Sequence, residues 1–512
     1  MQGRKSILLS TITLTGITFF IKLLGLIKQS VLAAYCGASS ETDAFFIATG
    51  IITQLCVVIF SAISVSLLTI HTNTLVKEGR QKSNELINGV LRVFIPISFG
   101  ISILFFIGVP IAAKVFAPSY SIEELSVLSH YIRIMSCAFM LWCYYLIINV
   151  VLETDKRFLP GRGQAFFQNL FLIISALFLY KKFGMAVLVY GFLLSGLAEC
   201  VLVTFCARKQ FKLVFHKINV SAETRELVKL SVPLIIGSAI YELNDIVDKQ
   251  ISTGLGTGNV SYLTYGGTIN EIVTGVVVAS VSTVLFSHFA TWIAEGNTEE
   301  VGANLRRAIE YLTLIILPIM VMCIIAGDQI VAILYGRGNF GSDDVWSTYG
   351  VVIGYSLGFV FQAARANLVK VYYAFQDTKR PMINGALSVG INIVLSILLS
   401  RAIGAAGIAL STSIAMLIVA ALLLKDIKQY LPNFSIRKSI NECGKGFVSA
   451  IVVALFLFGL RKVLHGNLYA TFLVEGIIVV GLYIAMLFLL KSHCVNSIRI
   501  SVINWYFNKD KY

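Results

Sequence analysis

Long runs of apolar residues alternate with short polar segments along the whole chain. Because a helix needs about 20 residues to cross the hydrocarbon core of a bilayer, each long run is a candidate membrane span. Several runs exceed that length, which indicates tilted helices or helices that project from the membrane. The pattern predicts fourteen spans, at about 7–36, 43–74, 86–115, 123–153, 163–180, 185–207, 226–254, 261–293, 304–334, 344–375, 381–400, 404–427, 441–462 and 468–490.

The basic residues are distributed unequally between the two sides of these spans. With the N-terminus in the cytoplasm, 28 Lys and Arg residues fall on the cytoplasmic side and 7 on the other side. Short cytoplasmic loops of membrane proteins carry such an excess. The distribution therefore predicts that both termini are cytoplasmic and that the number of spans is even. The pairs Lys181–Lys182 and Arg461–Lys462 are the main exceptions.

The composition supports the same fold class. Hydrophobic residues make up 57% of the 512 residues and charged residues 13%, against about 45–50% and about 25% in soluble domains. So little polar surface could not cover a soluble protein of this size, which excludes a soluble enzyme, a disordered chain and a nucleic-acid-binding module. The net charge of +14 is explained by basic cytoplasmic loops. We predict an all-α polytopic membrane protein.

Two stretches of the chain resemble each other at a fixed distance. Residues 152–157 (LETDKR) match 375–380 (FQDTKR) at an offset of 223, and the same offset pairs Gly184 with Gly407. The turn at Gly37 matches the turn at Gly256 at an offset of 219. We predict two six-helix lobes in the same orientation, with a binding site at the repeat interface. The predicted domains are 1–215, 216–430, 431–491 (spans 13 and 14) and an interfacial cytoplasmic tail at 492–512.

The first span carries two lysines on either side of a glycine. At 100° per residue, Gly25 lies midway between Lys22 and Lys28 on the helix surface. A phosphate or pyrophosphate could approach the bare backbone there and meet two ammonium groups. The alternative is that both lysines snorkel beside a packing glycine. Arg365 is a further basic residue inside a predicted span, where a charge facing lipid costs about 2.5–3.5 kcal/mol.

The seventh span carries four charges within eight residues: Glu242, Asp245, Asp248 and Lys249. Asp245 and Lys249 are spaced as an i,i+4 ion pair. The cluster could bind Na⁺ or H⁺ as a coupling ion, or hold the lysines of the first span in one state of a cycle. The alternative is a static ion-pair lock between the two halves. Glu271 in the next span is a further candidate for coupling or gating.

Several catalytic signatures are missing from the sequence. There is no GxxxxGK[ST] motif for ATP hydrolysis and no CxxC pair. The six histidines lack the spacing of metal ligands, and the nine cysteines are scattered. We therefore expect no enzymatic activity, no cofactor and no metal.

Motifs along nearly the whole chain are similar to one family. Lys22-x-x-Gly25-x-x-Lys28 and Thr42–Phe46 (TDAFF) resemble the opening of the MurJ/MviN lipid II flippases of the MOP exporter superfamily. Further matches are Val260-Ser261-Tyr262, Glu271…Gly275, 294–297 (AEGN) and 377–381 (DTKRP). The resemblance implies fourteen spans, alternating access between two lobes, an undecaprenyl-pyrophosphate-linked saccharide as substrate, and a groove for its lipid tail at 441–490.

This chain departs from the family pattern at the cationic positions. Lysines replace the first-span arginines, which keeps the charge but loses bidentate phosphate geometry. The family's second-span arginine falls near Cys56–Val58, and its eighth-span arginine falls at Thr268. An exporter of a lipid-linked exopolysaccharide, capsule or O-antigen unit is therefore an alternative to a lipid II flippase. A membrane-embedded glycosyltransferase or polymerase would need a substantial outer loop, and the sequence shows none.

An ion-coupled multidrug antiporter is the third alternative. Acidic residues in the seventh span favour it, whereas Lys22 and Lys28 argue against a cationic cargo. The partners expected from the leading interpretation are the lipid-linked saccharide, membrane lipids and a coupling ion, with no nucleic acid. The expected state is a monomer in the bacterial cytoplasmic membrane.

Overall fold

The computed structural model describes residues 2–214, 222–278, 282, 289, 291–293, 295–464 and 466–497. These residues form helices and connecting turns, and none of them lies in a strand. The predicted all-α fold class is confirmed. The predicted interfacial tail lies outside the described residues from 498 onward, and so does Ala294 of the 294–297 motif.

The described helices follow one another through short connections. In the first part of the chain they are α1 Gln2–Cys36, α2 Ser40–Cys56, α3 Ala62–Phe116, α4 Ile122–Met135, α5 Ala138–Thr154, α6 Gly163–Ile174, α7 Tyr180–Phe183, α8 Ala186–Ala207, α9 Ala222–Thr253 and α10 Asn259–Ile272. In the second part they are α11 Thr298–Ile325, α12 Gly327–Tyr335, α13 Ser342–Ser356, α14 Phe359–Ala374, α15 Lys379–Ile403, α16 Ala405–Asp426, α17 Arg437–Arg461 and α18 Leu468–Leu489.

Among the described residues, ten helical stretches are long and apolar enough to cross a membrane. One of them, Ser40–Phe116, holds two of the predicted spans, because Gly79 leaves helical geometry with φ 86° and ψ 178°. Large apolar side chains such as Ile107 and Ile477 are more than 70% exposed, which is the surface that a lipid-facing helix presents. The chain is a multi-pass membrane protein, and the number fourteen stays a prediction.

Three predicted spans are each divided into two α-helices by a short non-helical turn. The span at 123–153 is divided between α4 and α5, the span at 304–334 between α11 and α12, and the span at 344–375 between α13 and α14. At the first division the Ser136 hydroxyl donates to the Arg133 carbonyl at 2.8 Å, and the Ser102 hydroxyl donates to the Ser136 carbonyl at 2.8 Å. Local bonds of this kind compete with the helical ladder, and hydropathy does not detect them.

The chain divides into two compact units. Unit 1 comprises 1–264 together with 337–341, and unit 2 comprises 265–336 and 342–512. In unit 2, apolar residues of α11, α14 and α16 form one core around Leu305, Tyr372 and Leu423. A second core joins α11 to α17 and α18 around Leu317, Val453 and Val479. The predicted domain boundaries at 215, 430 and 491 stay predictions.

Corresponding backbone features recur in the two halves of the chain. α5 and α14 are each followed by a residue at φ 61°, which is Lys156 after α5 and Gln376 after α14. In both places the N–H of this residue donates to the carbonyl three residues back. The N–H of the next residue donates to the carbonyl five residues back, as in a Schellman motif. Gly184 and Gly404, with φ 64° and 63°, each lie at the end of one helix and ahead of the next. A π-helical turn follows both α2 and α10, at Val57–Ser61 and Val273–Val278.

These features correct the register of the predicted repeat. Lys156 pairs with Gln376, and Gly184 pairs with Gly404 rather than Gly407, so the spacing is 220 residues and not 223. In both halves a residue with positive φ follows the helix. The similar letters at 152–157 and 375–380 are three residues out of step with these helix ends. The predicted break between the eleventh and twelfth spans is confirmed at Gly404.

Asp377 fixes the start of α15. Its carboxylate accepts hydrogen bonds from the backbone N–H of Lys379 at 3.0 Å and of Arg380 at 3.1 Å, and from the Tyr430 hydroxyl at 2.9 Å. Burial alone would raise the pKa of Asp377, but these bonds and the nearby Arg380 guanidinium lower it below its usual value. The loop of the 377–381 motif is thereby held against the segment that follows α16.

Candidate functional site

The charged cluster of the seventh span lies on α9 and contacts α2. Lys249 Nζ is 2.9 Å from Asp245 Oδ2, so the predicted i,i+4 ion pair is present. The Gln54 amide of α2 donates a hydrogen bond to the same carboxylate oxygen. Gly50 of α2 leaves room for the ammonium, since a Cβ built there would lie 2.6 Å from Lys249 Nζ. The cluster therefore joins two helices within unit 1.

The other two acids of this cluster differ in burial. Asp248 is 3% exposed, and its carboxylate accepts a hydrogen bond from the Asn244 amide at 3.2 Å. Glu242 is half-buried and within electrostatic range of Asp245 and Lys249. Glu242 and Asp245 are like charges within range of one another, and Lys249 is the basic residue within range of both.

The basic stripe of the first span lies on α1. Lys22 and Lys28 are both half-buried. Gly25 contacts α6, because a Cβ at this position would lie 3.5 Å from the Asn169 amide nitrogen. That amide donates to the Ile21 carbonyl at 3.3 Å. In this conformation the expected bare backbone at Gly25 is covered by Asn169, as the packing alternative requires.

A second polar centre lies where α1 turns into α2, and sequence reasoning did not select it as a site. Asp43 is 2% exposed. Its carboxylate accepts hydrogen bonds from the N–H of Gly258 at 2.6 Å, the N–H of Ser261 at 2.8 Å and the Ser261 hydroxyl at 2.5 Å. It thus caps the N-terminus of α10, where backbone N–H groups have no helical partner.

The segment 337–341 packs against the same end of α1. The Asn339 N–H donates to the Ala34 carbonyl at 2.9 Å, and the Asn339 side chain donates to the Tyr35 carbonyl at 2.6 Å. Arg337 donates to the Ser30 hydroxyl at 3.0 Å. The two Asn339 bonds occupy carbonyl groups at the C-terminus of α1. The turn between α1 and α2 is therefore held by two segments that are distant in sequence, 258–261 and 337–341.

This docking gives a prediction for Gly338. It has φ +63°, and a Cβ there would collide with the Ala34 carbonyl. Gly404 has the same φ of +63° but nothing within 4 Å of its Cβ position. Gly404→Ala should therefore cost only the backbone strain of about 1 kcal/mol, whereas Gly338→Ala should also displace the segment 337–341. We expect a clearly lower Tm for Gly338→Ala in thermal unfolding of the purified protein, and equal Tm values would contradict the docking.

The remaining candidates lie in unit 2. Arg365 on α14 is half-buried, and among the described residues no hydrogen-bond partner reaches its Nε. Glu271 on α10 is exposed. Thr268 lies beside Tyr335 of α12 and carries no charge. Cys56 of α2, near the position of the family's second-span arginine, is buried and carries no positive charge.

Comparison with known proteins identifies the family. The family model described as lipid II flippase MurJ matches residues 32–479. This chain belongs to the MurJ family. Proteins named probable lipid II flippase MurJ are similar along most of their length. The one from Treponema pallidum is 24% identical over 453 residues, covering 84% of this chain and 83% of its own. The one from Thermotoga maritima is 24% identical over 485 residues, covering 92% and 93%.

Solved structures agree with the family. A lipid II flippase MurJ in an inward closed conformation has a TM-score of 0.81 at 25% identity, covering 93% of this chain and 98% of its own. An inward-facing multidrug resistance MATE transporter of the MOP superfamily has a TM-score of 0.68 at 11% identity, covering 81% and 95%. The second likeness shows the shared fold alone. The family recognised from the sequence motifs is confirmed.

Proposed function

We propose that this chain transports lipid II, a lipid-linked saccharide, from the inner to the outer leaflet of the cytoplasmic membrane by alternating access. The observation that carries this proposal is the match of the MurJ family over residues 32–479. The names of the relatives support the same substrate. In this function no covalent bond is made or broken, so the chain has no catalytic residue and acts as a transporter.

Lys22 and Lys28 bind the pyrophosphate in this proposal. Both are half-buried on a helix that is apolar around them. At 4 Å a pair of opposite charges is worth about 4 kcal/mol at an effective dielectric constant of 20. Arg365 supplies a third cation, which is consistent with its unsatisfied Nε among the described residues. Gly25 contributes to binding only when Asn169 moves away from it.

The acids of α9 supply the coupling or gating step in this proposal, with Na⁺ or H⁺ as the ion. Asp245 is held by Lys249 and Gln54, and Asp248 is buried beside Asn244. Glu242 and Lys249 complete this cluster, and Glu271 is the further acid assigned to gating. The cluster lies within unit 1, and the hydrogen bond from Gln54 to Asp245 joins α2 to α9.

The coupling step predicts the behaviour of the double variant Asp245→Asn/Asp248→Asn. Without either carboxylate the cluster loses its affinity for a cation. We expect transport into the outer leaflet to fall at least tenfold while substrate binding is retained. Asp343→Asn, at an exposed acid of α13, is the control and should leave transport unchanged. Full transport by the double variant would reject the coupling role.

We also propose that both termini are cytoplasmic, in a monomer of the bacterial cytoplasmic membrane. The excess of basic residues on one side of the predicted spans supports this orientation. The Gly79 turn then faces the cytoplasm, together with the ion pair in which Arg80 Nη2 is 2.9 Å from Asp155 Oδ1.

Binding of the purified protein to two substrates tests the choice of cargo. One is lipid II, and the other is an undecaprenyl-pyrophosphate glycan with different sugars. Both share the pyrophosphate, so a difference in affinity measures recognition of the sugar. Tighter binding of lipid II supports the proposal. Equal or tighter binding of the other glycan would point to a polysaccharide exporter, and binding of neither would reopen the antiporter interpretation.

A further inference from the structure

Four metal-binding side chains converge in unit 2, away from the residues discussed above. They are Glu310 of α11, Glu442 of α17, and His493 and Cys494 in the helical turn that follows α18. We call them the Glu310 cluster. Glu310, Glu442 and Cys494 are 2%, 1% and 1% exposed. His493 has a side chain 62% exposed, which leaves an entry path to the cluster from the surface.

The ligand atoms are close to one another. His493 Nε2 lies 3.9 Å from Glu310 Oε2 and 3.6 Å from Glu442 Oε2. Cys494 Sγ lies 3.8 Å from Glu310 Oε2, and one ligand atom from each of Glu310, His493 and Cys494 falls within 4.8 Å of the others. In a tetrahedral zinc site, bond lengths of about 2.0–2.3 Å put the ligand atoms about 3.3–3.7 Å apart. The separations of 3.6–3.9 Å are close to that spacing, and the other pairs within the three-residue set, which lie within 4.8 Å, have to shorten by up to about 1 Å.

The second oxygen of each glutamate is already oriented. Glu310 Oε1 accepts a hydrogen bond from the Ser439 hydroxyl at 2.7 Å. Glu442 Oε1 accepts from the Ser492 hydroxyl and from the Cys494 N–H. Both Oε2 atoms are thereby turned towards His493. Hydrogen bonds to the non-ligating oxygen are the outer-shell support that metal sites use to fix their ligands.

Each carboxylate of the cluster has a basic neighbour. Lys445 Nζ lies 3.2 Å from Glu442 Oε2, and Arg306 Nε lies 3.9 Å from Glu310 Oε1, which is the oxygen that does not face His493. Since a metal binds the thiolate of a cysteine, the Glu310 carboxylate and an ionised Cys494 together balance the two charges of one divalent ion.

We propose that Glu310, His493 and Cys494 bind one Zn²⁺ ion, with Glu442 beside the site at 3.6 Å from His493 Nε2. A set of thiolate, imidazole and carboxylate ligands suits zinc better than the hard cations Mg²⁺ or Ca²⁺. The ion joins α11 to the chain that leaves α18, and it therefore acts as a structural clamp between these two parts of unit 2. The expectation that the chain holds no metal site rested on short sequence spacing, and these ligands come from two segments that are distant in sequence.

Cobalt binding to the full-length purified protein, after treatment with a chelator, tests the site. Co²⁺ replaces Zn²⁺ in such sites and gives a thiolate-to-metal charge-transfer band only when a cysteine is a ligand. We expect one equivalent of Co²⁺ with this band, its displacement by Zn²⁺, and a higher Tm in the presence of Zn²⁺. Absence of the band from the wild-type protein would overturn the proposal without any variant.

Variants assign the ligands. Cys494→Ser should remove the charge-transfer band, and His493→Ala should weaken Co²⁺ binding at least tenfold. Cys443→Ser is the matched control, because Cys443 neighbours Glu442 on the same helix and is not in the cluster. Loss of the band in Cys443→Ser, or its survival in Cys494→Ser, would overturn the assignment. Since His493 is exposed, His493→Ala should fold even where a core variant does not.

Discussion

Replacing Asp43 with alanine is expected to lower the free energy of unfolding by about 3 kcal/mol or more. The carboxylate is 2% exposed and accepts three hydrogen bonds, from two N–H groups and one hydroxyl. Each buried donor left without a partner costs about 1–3 kcal/mol. The loss is a large share of the total stability of a typical protein, which is about 5–15 kcal/mol.

A graded series of variants separates this capping role from a general effect of mutation. Ser261→Ala removes only the hydroxyl bond and should cost about 1 kcal/mol. Asp43→Asn keeps one acceptor oxygen and should fall between Ser261→Ala and Asp43→Ala. Thermal unfolding of the purified protein gives the order of the three Tm values. If Asp43→Ala were as stable as Ser261→Ala, Asp43 would not be the cap of α10.

The second large effect is expected from Lys22→Ala/Lys28→Ala. A hydrogen bond to a charged group contributes about 1.5–3 kcal/mol, and 1.4 kcal/mol corresponds to a tenfold change in affinity. Loss of both lysines should therefore weaken binding of lipid II at least 100-fold. The proteins can be compared by titrating each with lipid II and measuring Kd.

Arginine substitutions and a distant lysine are the controls for this experiment. Lys22→Arg/Lys28→Arg keeps both charges and adds bidentate geometry, so affinity should be kept or increased. Lys77→Ala removes an exposed lysine of α3 and should leave Kd unchanged. If Lys22→Ala/Lys28→Ala bound lipid II as tightly as the wild-type protein, the pyrophosphate would have to be recognised elsewhere.

The fold class was predictable because the thickness of the membrane sets the length of each apolar run, whatever the contacts between the helices are. Apolar runs of about 20 residues located the helices, and the ion pair of Asp245 with Lys249 followed from helical periodicity alone. Breaks such as the one at Ser136 were not predictable, because a single hydroxyl bond decides them. The register of the repeat needed the φ angles of Lys156 and Gln376, which the letters of the sequence do not carry.

The candidate sites were predictable only where their residues lie on one helix. Lys22 and Lys28 could be selected as charges inside an apolar run. Asn169, which covers Gly25, and Gln54, which holds Asp245, come from other helices and are unremarkable polar residues in the sequence. Asp43 was visible as part of a motif, but its capping role depends on Gly258 and Ser261, more than 200 residues away.

Transport of lipid II in reconstituted vesicles tests the central claim most directly. The purified chain is placed in liposomes that contain lipid II, and the fraction of headgroups reaching the opposite leaflet is measured with and without protein. The account predicts protein-dependent translocation, with no chemical change in the lipid and with loss of the activity in Lys22→Ala/Lys28→Ala. Translocation equal to that of protein-free vesicles, from protein that binds lipid II, would contradict it.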